Sequence, residues 1–195
     1  MNISPWAVIL ALPLALAAAA REEAPSLSAA VSEPASTMDA PSAPDELDLA
    51  VDRWPIVGKA RLKVLFWEVY DSVLFTPSGD WVGEPPYRLS LHYLRDIPVN
   101  QLVEETDKAW RQQGREHPLQ ARWLEALSTL WPDISSGDSL VFGLNADGQN
   151  RFWYNGVPIG GIDDKDFGPL FGGIWLDPDT PRPALRAQLV GADSN

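Results

Sequence analysis

Arg61 is the one guanidinium in residues 58–75, a stretch free of Gly and Pro after Gly58 and dense in β-branched and aromatic residues. Such composition favours one long bulged strand or a pair of strands. A cation beside a sheet that is to be buried needs a counter-charge. Either a protein carboxylate supplies it, with Glu68 and Asp71 nearest in the chain, or a ligand anion does, clamped by the planar donor fork. With 27 acids against 15 bases, spare carboxylates are plentiful, and both readings stay open.

His92 follows at the end of an alternating segment, beside Tyr93. An imidazole there has the chemistry of a general base, although a lone His on the polar face of a strand is ordinarily a solvated side chain. Trp67, Tyr70, Trp110, Trp123, Trp153, Tyr154 and Trp175 have the apolar rings to line a pocket between sheet and helices. They serve equally well as plain core. The candidate ligand-binding set is Arg61, Trp67, Tyr70, His92 and Tyr93. No catalytic residue is assigned.

Other chemistries find little support. There is no Cys, so thiolate nucleophiles, disulfides and Cys metal sites are excluded. His92 and His117 lack metal-ligand spacing, and His117, just before Pro118, is expected in an exposed loop. The acids at 163, 164, 177 and 179 read as helix N-terminal charges, and residues 145–148 as a hairpin turn, rather than as a calcium loop. No nucleophile elbow or phosphate loop occurs. No metal or cofactor is expected.

Three regions organise the chain. Residues 1–20 hold an apolar run from Trp6 to Ala20 ending in small residues, the pattern of a cleaved export signal, though without Lys or Arg ahead of it. The run is short for a bilayer span. Residues 21–46, rich in Ala, Pro, Ser and Glu, are expected to form a disordered tether. Their six acids and one base account for −5 of the net −12, leaving about −7 on residues 47–193. That acidity argues against nucleic acid and anionic membrane surfaces as partners. Residues 47–193 fit one domain, and eight of the nine Trp lie there. A periplasmic or secreted location is expected, with no membrane span after signal cleavage.

The elements that must position the candidates follow from periodicity. Residues 46–52 suggest a short strand. Residues 70–72 suggest a bulge, because the alternation shifts there. In residues 87–94, Tyr87, Leu89, Leu91 and Tyr93 share one face, and Arg88, Ser90 and His92 the other. Pro98 opens a helix to about Gln113, capped by Asp96 or Asn100 and stopped at Gly114. A second helix follows Pro118 and ends before Trp131; the two read as a helical hairpin on the sheet. Strands at 139–145 and 149–154 precede an Asn155–Gly156 turn of type I′ character. Asp163 or Asp164 caps a helix through Phe171 and Trp175, and a short helix at 183–190 ends at Gly191. The order gives an α+β fold, with a mostly antiparallel sheet and helices on one face.

Three segments carry a resemblance: residues 64–75; residues 89–104; and residues 152–160 continuing through 171–180 to 185–191. Together they resemble the bacterial exported branch of the chalcone isomerase-like family, over about residues 50–191. The resemblance implies an open-faced β-sandwich, a large antiparallel sheet with helices layered on one face. It also implies either an enzyme closing a chalcone to a flavanone or a non-catalytic fatty-acid-binding protein. The family's enzymes use an arginine early in the sheet, a threonine on the next strand, and a tyrosine and an asparagine on a helix. Arg61 matches the arginine with a one-residue slip. The threonine position falls near Asp71, whose charge repels a phenolate, and the helix positions near Leu102 and Ala109, which hold no oxygen. The isomerase reaction therefore lacks its electrostatic support here.

The expected function is a non-catalytic exported domain binding a fatty acid or similar small amphipathic carboxylate. The alternatives are an isomerase or lyase acting on a phenolic or enone substrate, and a periplasmic protein-interaction module.

Overall fold

The computed structural model describes residues 54–192. The export signal, the tether and the short strand at 46–52 lie outside the described residues. Within them, six strands form one antiparallel sheet in chain order: β1 (Ile56–Val64), β2 (Trp67–Phe75), β3 (Tyr87–Tyr93), β4 (Ser139–Leu144), β5 (Asn150–Tyr154) and β6 (Val157–Gly160). Helices α1 (Val99–Gln112), α2 (Gln120–Leu130), α3 (Phe167–Leu176) and α4 (Pro183–Leu189) pack on it. This is the expected α+β open-faced sandwich.

Residues 58–75 resolve into a strand pair. The chain reverses at Leu65 and Phe66, with Leu65 at φ 56, a left-handed conformation uncommon for a residue with a Cβ. The irregularity expected at 70–72 falls just before it. Tyr70 pairs with Leu62 and Glu68 with Lys63, so Val69 is the extra residue of a bulge. At the β5–β6 turn, Asn155 and Gly156 have φ 49 and 81, the pair of positive values that a type I′ turn requires.

Alternation divides the sheet into two faces. Tyr70, Leu74, Leu89, Tyr93, Leu140 and Phe142 point into the core. Across the other face, Arg61, Asp71, His92 and Ser139 stand in register. Further along that face Arg88 is fully buried, its guanidinium 5.2 Å from the Trp54 ring and 4.9 Å from the Trp153 ring. Gly143, opposite Arg88, gives the Trp153 ring the room that a Cβ would take.

Close approach of α3 to the sheet depends on two glycines one turn apart. A Cβ on Gly172 would run into the Tyr87 hydroxyl, and one on Gly168 into the Leu144 methyl group. Phe171 then reaches Phe142 at 4.8 Å and Phe152 at 5.2 Å between ring centroids, spacings at which edge-to-face rings attract. Gly58 does the same for α4, whose Gln188 and Leu189 carbonyls occupy the space of its missing side chain.

The helical hairpin of α1 and α2 closes over α3. Trp110 and Trp123 meet Phe167 edge-on at 6.3 and 5.7 Å, and the Trp110 indole N–H donates to the Leu170 carbonyl at 3.0 Å. Its cap differs from expectation. Pro98 is the N-cap residue and offers no side-chain bond. The Val99 N–H is instead met by Asp133 Oδ1 at 2.8 Å, from the loop after α2. Asp96 faces that loop too, accepting from the Ser136 N–H at 2.8 Å. An isolated bridge between Ile97 and Ile134 aligns the two segments, so the capping group comes from across the fold.

Candidate functional site

The five candidate residues do not share one cleft. The Arg61 guanidinium forks onto Asp71, Nε–Oδ1 2.5 Å and Nη2–Oδ2 2.7 Å, and Nη1 reaches Glu68 Oε2 at 2.9 Å. Lys63 holds the other Glu68 oxygen at 2.7 Å. Of the two readings left open by the sequence, the structure contains the protein carboxylate. The Arg61 hydrogen bond keeps the Asp71 carboxyl below its usual range, and bonds from Lys63 and then Arg61 do so for Glu68. His92, next in the same row, has Nδ1 3.2 Å from Ser139 Oγ. Trp67 is exposed near the β1–β2 turn, with the Arg95 guanidinium 4.2 Å above its ring. The Arg61 cluster and His92 stand on the face away from the helix layer.

Tyr70 and Tyr93 lie beneath it. Their rings meet edge-on at 5.8 Å, since Tyr70 and Tyr93 are cross-strand partners in β2 and β3. The Tyr70 hydroxyl accepts a 2.9 Å bond from the Trp175 indole N–H in the last turn of α3. Burial pushes the Tyr70 hydroxyl up to about 12, against the opposing pull of the Trp175 bond and the Arg182 charge. Burial raises Tyr93 as well, and Tyr70 beside it adds to the rise. At neutral pH both phenols are therefore proton donors, not bases.

Arg182 stands at the start of α4, exposed and within electrostatic reach of Tyr70. Among the described residues no carboxylate forms an ion pair with it. Thr180 fixes the approach: its hydroxyl donates to the Ile174 carbonyl at 2.9 Å and accepts from the Arg182 N–H at 3.3 Å. Arg186 Nε holds the Leu176 carbonyl at 2.8 Å, tying α4 to the end of α3. Tyr70 thus has the Tyr93 ring, the Trp175 indole N–H and the Arg182 charge as neighbours. The guanidinium and the phenol protons are donors that a carboxylate accepts, while the Trp175 N–H is already given to Tyr70. Arg182 was missed from sequence, yet it had a signal: it lies between Pro181 and Pro183, which stiffen the backbone on both sides.

A concavity of about 390 Å³, open to solvent, lies beside the start of α3 and is lined by Arg115, His117, Asp166, Pro169 and Leu170. His117 is in a loop as expected, but it stacks on Trp123 at 4.4 Å instead of standing free. Its Nδ1 accepts from the Leu119 N–H at 3.2 Å, and Nε2 lies 3.8 Å from Asp166 Oδ2. Arg115 is paired with Asp177 at 2.5 Å. Trp110, Trp123 and Trp175, candidate pocket rings by sequence, are buried core. Among the described residues no group of three or more His, Cys, Asp or Glu could hold a metal, and no helix is long and apolar enough to cross a membrane.

No protein-family model matches the chain. An uncharacterized protein of Haemophilus influenzae is 27% identical over 143 residues, 71% of this chain and 68% of that protein. Among solved structures, the crystal structure of the Arabidopsis thaliana fatty-acid binding protein AtFAP1 is similar with a TM-score of 0.54. The match has 9% sequence identity and covers 72% of this chain and 88% of that one. At that identity the likeness is one of fold: the chain has the architecture of AtFAP1, a protein of the chalcone isomerase-like fold.

Proposed function

We propose that this domain is a non-catalytic binding protein for a small amphipathic carboxylate, with a fatty acid as the first candidate. The observation that carries this reading is the Tyr70–Trp175 hydrogen bond beneath Arg182, a guanidinium with no carboxylate partner among the described residues. Arg182 would meet the carboxylate at the mouth. Tyr70 and Tyr93 would supply neutral donors behind it, and Trp175 apolar ring surface. The fold shared with AtFAP1, a fatty-acid binding protein, supports the choice of ligand. The absence of a base among these phenols favours binding over proton-transfer chemistry.

Arg61 then acts as a structural cation, since a ligand there must displace Asp71 and Glu68. Membership of the bacterial exported branch and a periplasmic or secreted location belong to the proposal. They rest on the sequence of residues 1–46 and of the matching segments. Native mass spectrometry of the chain purified from the periplasm tests the whole reading. A stoichiometric fatty acid released on denaturation is expected. A chain recovered only from the cytoplasm contradicts the location, and a chain that binds no added fatty acid contradicts the ligand.

A further inference from the structure

Three aromatic residues stand one turn apart along the sheet-facing side of α3: Phe167, Phe171 and Trp175. The i, i+4 spacing sets them in one row, with 5.4 Å between successive ring centroids in both steps. Trp175 is the outer member, bonded to the Tyr70 hydroxyl. Phe171 comes next inward and is 3% exposed. It also meets Phe142, Phe152 and Trp131 at 4.8, 5.2 and 5.8 Å between centroids. Interiors pack as densely as organic crystals, so an acyl chain can pass such a ring only by displacing it.

The layer does not widen to let a chain through. Gly168 and Gly172 seat α3 against Leu144 and Tyr87, where even a Cβ would collide. On the other side of Tyr70, α4 is seated as closely, with the Gln188 and Leu189 carbonyls in the space of the missing Gly58 side chain. From the Tyr70 hydroxyl, the way along α3 is closed by Phe171 and the way along α4 by this backbone contact. The depth left behind Trp175 is that of a few methylene groups.

Resting on the carboxylate site proposed above, we infer that Phe171 is the stop of that site and sets its selectivity. The carboxylate and the first few methylene groups are buried beside Trp175, and any longer tail stays in solvent. The site therefore selects short-chain monocarboxylates, and a longer acyl chain binds no more tightly.

A chain-length series tests this in the full chain. Butanoate, hexanoate, octanoate and dodecanoate are titrated separately by calorimetry. Each methylene taken out of water raises affinity about fourfold, so burying the four that separate octanoate from dodecanoate would raise it on the order of a hundredfold. The parent is expected to level off instead, with dodecanoate within about threefold of octanoate. Phe171→Leu removes the ring, and the preference for dodecanoate over octanoate is then expected to rise by roughly fourfold or more. Circular dichroism checks that the variant is folded, and the parent series decides the matter even where it is not. A parent that binds, with affinity climbing about fourfold per methylene through dodecanoate, overturns the stop and leaves the carboxylate site standing. A folded Phe171→Leu variant with an unchanged preference also overturns it, and assigns the ring to packing alone. A parent that binds none of the four acids contradicts the carboxylate site itself, and the stop with it.

Discussion

The Trp175 indole N–H donates a 2.9 Å hydrogen bond to the Tyr70 hydroxyl, joining residues 105 positions apart. The bond fastens the last turn of α3 to β2 and sets the floor below Arg182. Trp175→Phe is expected to cost about 1 kcal/mol. In a urea-denaturation cycle with Tyr70→Phe, the two substitutions should couple rather than add. Additive losses would mean that the bond contributes nothing to stability.

All four tyrosines of the chain have hydroxyls raised above their ordinary value: Tyr70, Tyr87 and Tyr93 chiefly by burial, and Tyr154 chiefly by its hydrogen bond to Asp138. A raised folded-state value means that the folded state keeps its protons longer than the unfolded chain does. The stability this contributes is complete below about 10 and is lost as pH rises beyond it. The native protein should therefore show almost no phenolate absorbance near pH 10, with ionisation of the buried rings accompanying alkaline unfolding. A free titration of all four near 10 with the fold intact contradicts the burial described.

The acid limb has the opposite sign. Asp138 accepts from the Tyr154 hydroxyl at 2.6 Å, the Asn155 amide at 2.9 Å and the Ser135 N–H at 2.7 Å, and these bonds lower its carboxyl. A depressed folded-state value gives stability that is present above the ordinary Asp range near 4 and lost as pH falls through the depressed value. Asp138→Asn should flatten the fall of the urea midpoint below about pH 4 relative to the parent chain. An unchanged acid limb would place the sensitivity elsewhere, with Asp71 and Glu68 as the other lowered carboxyls among the described residues.

Gly172 admits the Tyr87 hydroxyl against α3. Although Ala is the better helix former, Gly172→Ala should destabilise by about 1–3 kcal/mol through overpacking. Gly173, one residue on, has only ordinary contacts for a Cβ, the nearest being Asp177 Cβ at 3.8 Å. Gly173→Ala should then be neutral or stabilising. Equal effects at the two positions would contradict the close approach of helix and sheet.

Much of this fold is legible in the chain because its signals are local. Alternation puts Tyr87, Leu89, Leu91 and Tyr93 on one face, and Asn155–Gly156 announces its turn. The β1–β2 reversal is hidden, because Leu65 and Phe66 carry no turn chemistry. The α1 cap is hidden for a different reason: Asp133 and Val99 are 34 residues apart, and only tertiary structure joins them. The site was half legible. Tyr70 and Tyr93 stand among the candidates from sequence, but Arg61 stood between two readings that composition does not separate. Arg182 takes its place beside Tyr70 only once α3 and α4 are laid on the sheet.

Isothermal titration of dodecanoate into the parent chain, Arg182→Ala and Arg61→Ala is the most direct test of the carboxylate site. The parent is expected to bind one equivalent. Arg182→Ala should weaken binding by roughly tenfold or more, as loss of a charge-assisted pair does, while Arg61→Ala stays within about twofold. Absence of binding to the parent, or loss with Arg61→Ala and not with Arg182→Ala, contradicts a carboxylate site at Tyr70, Trp175 and Arg182.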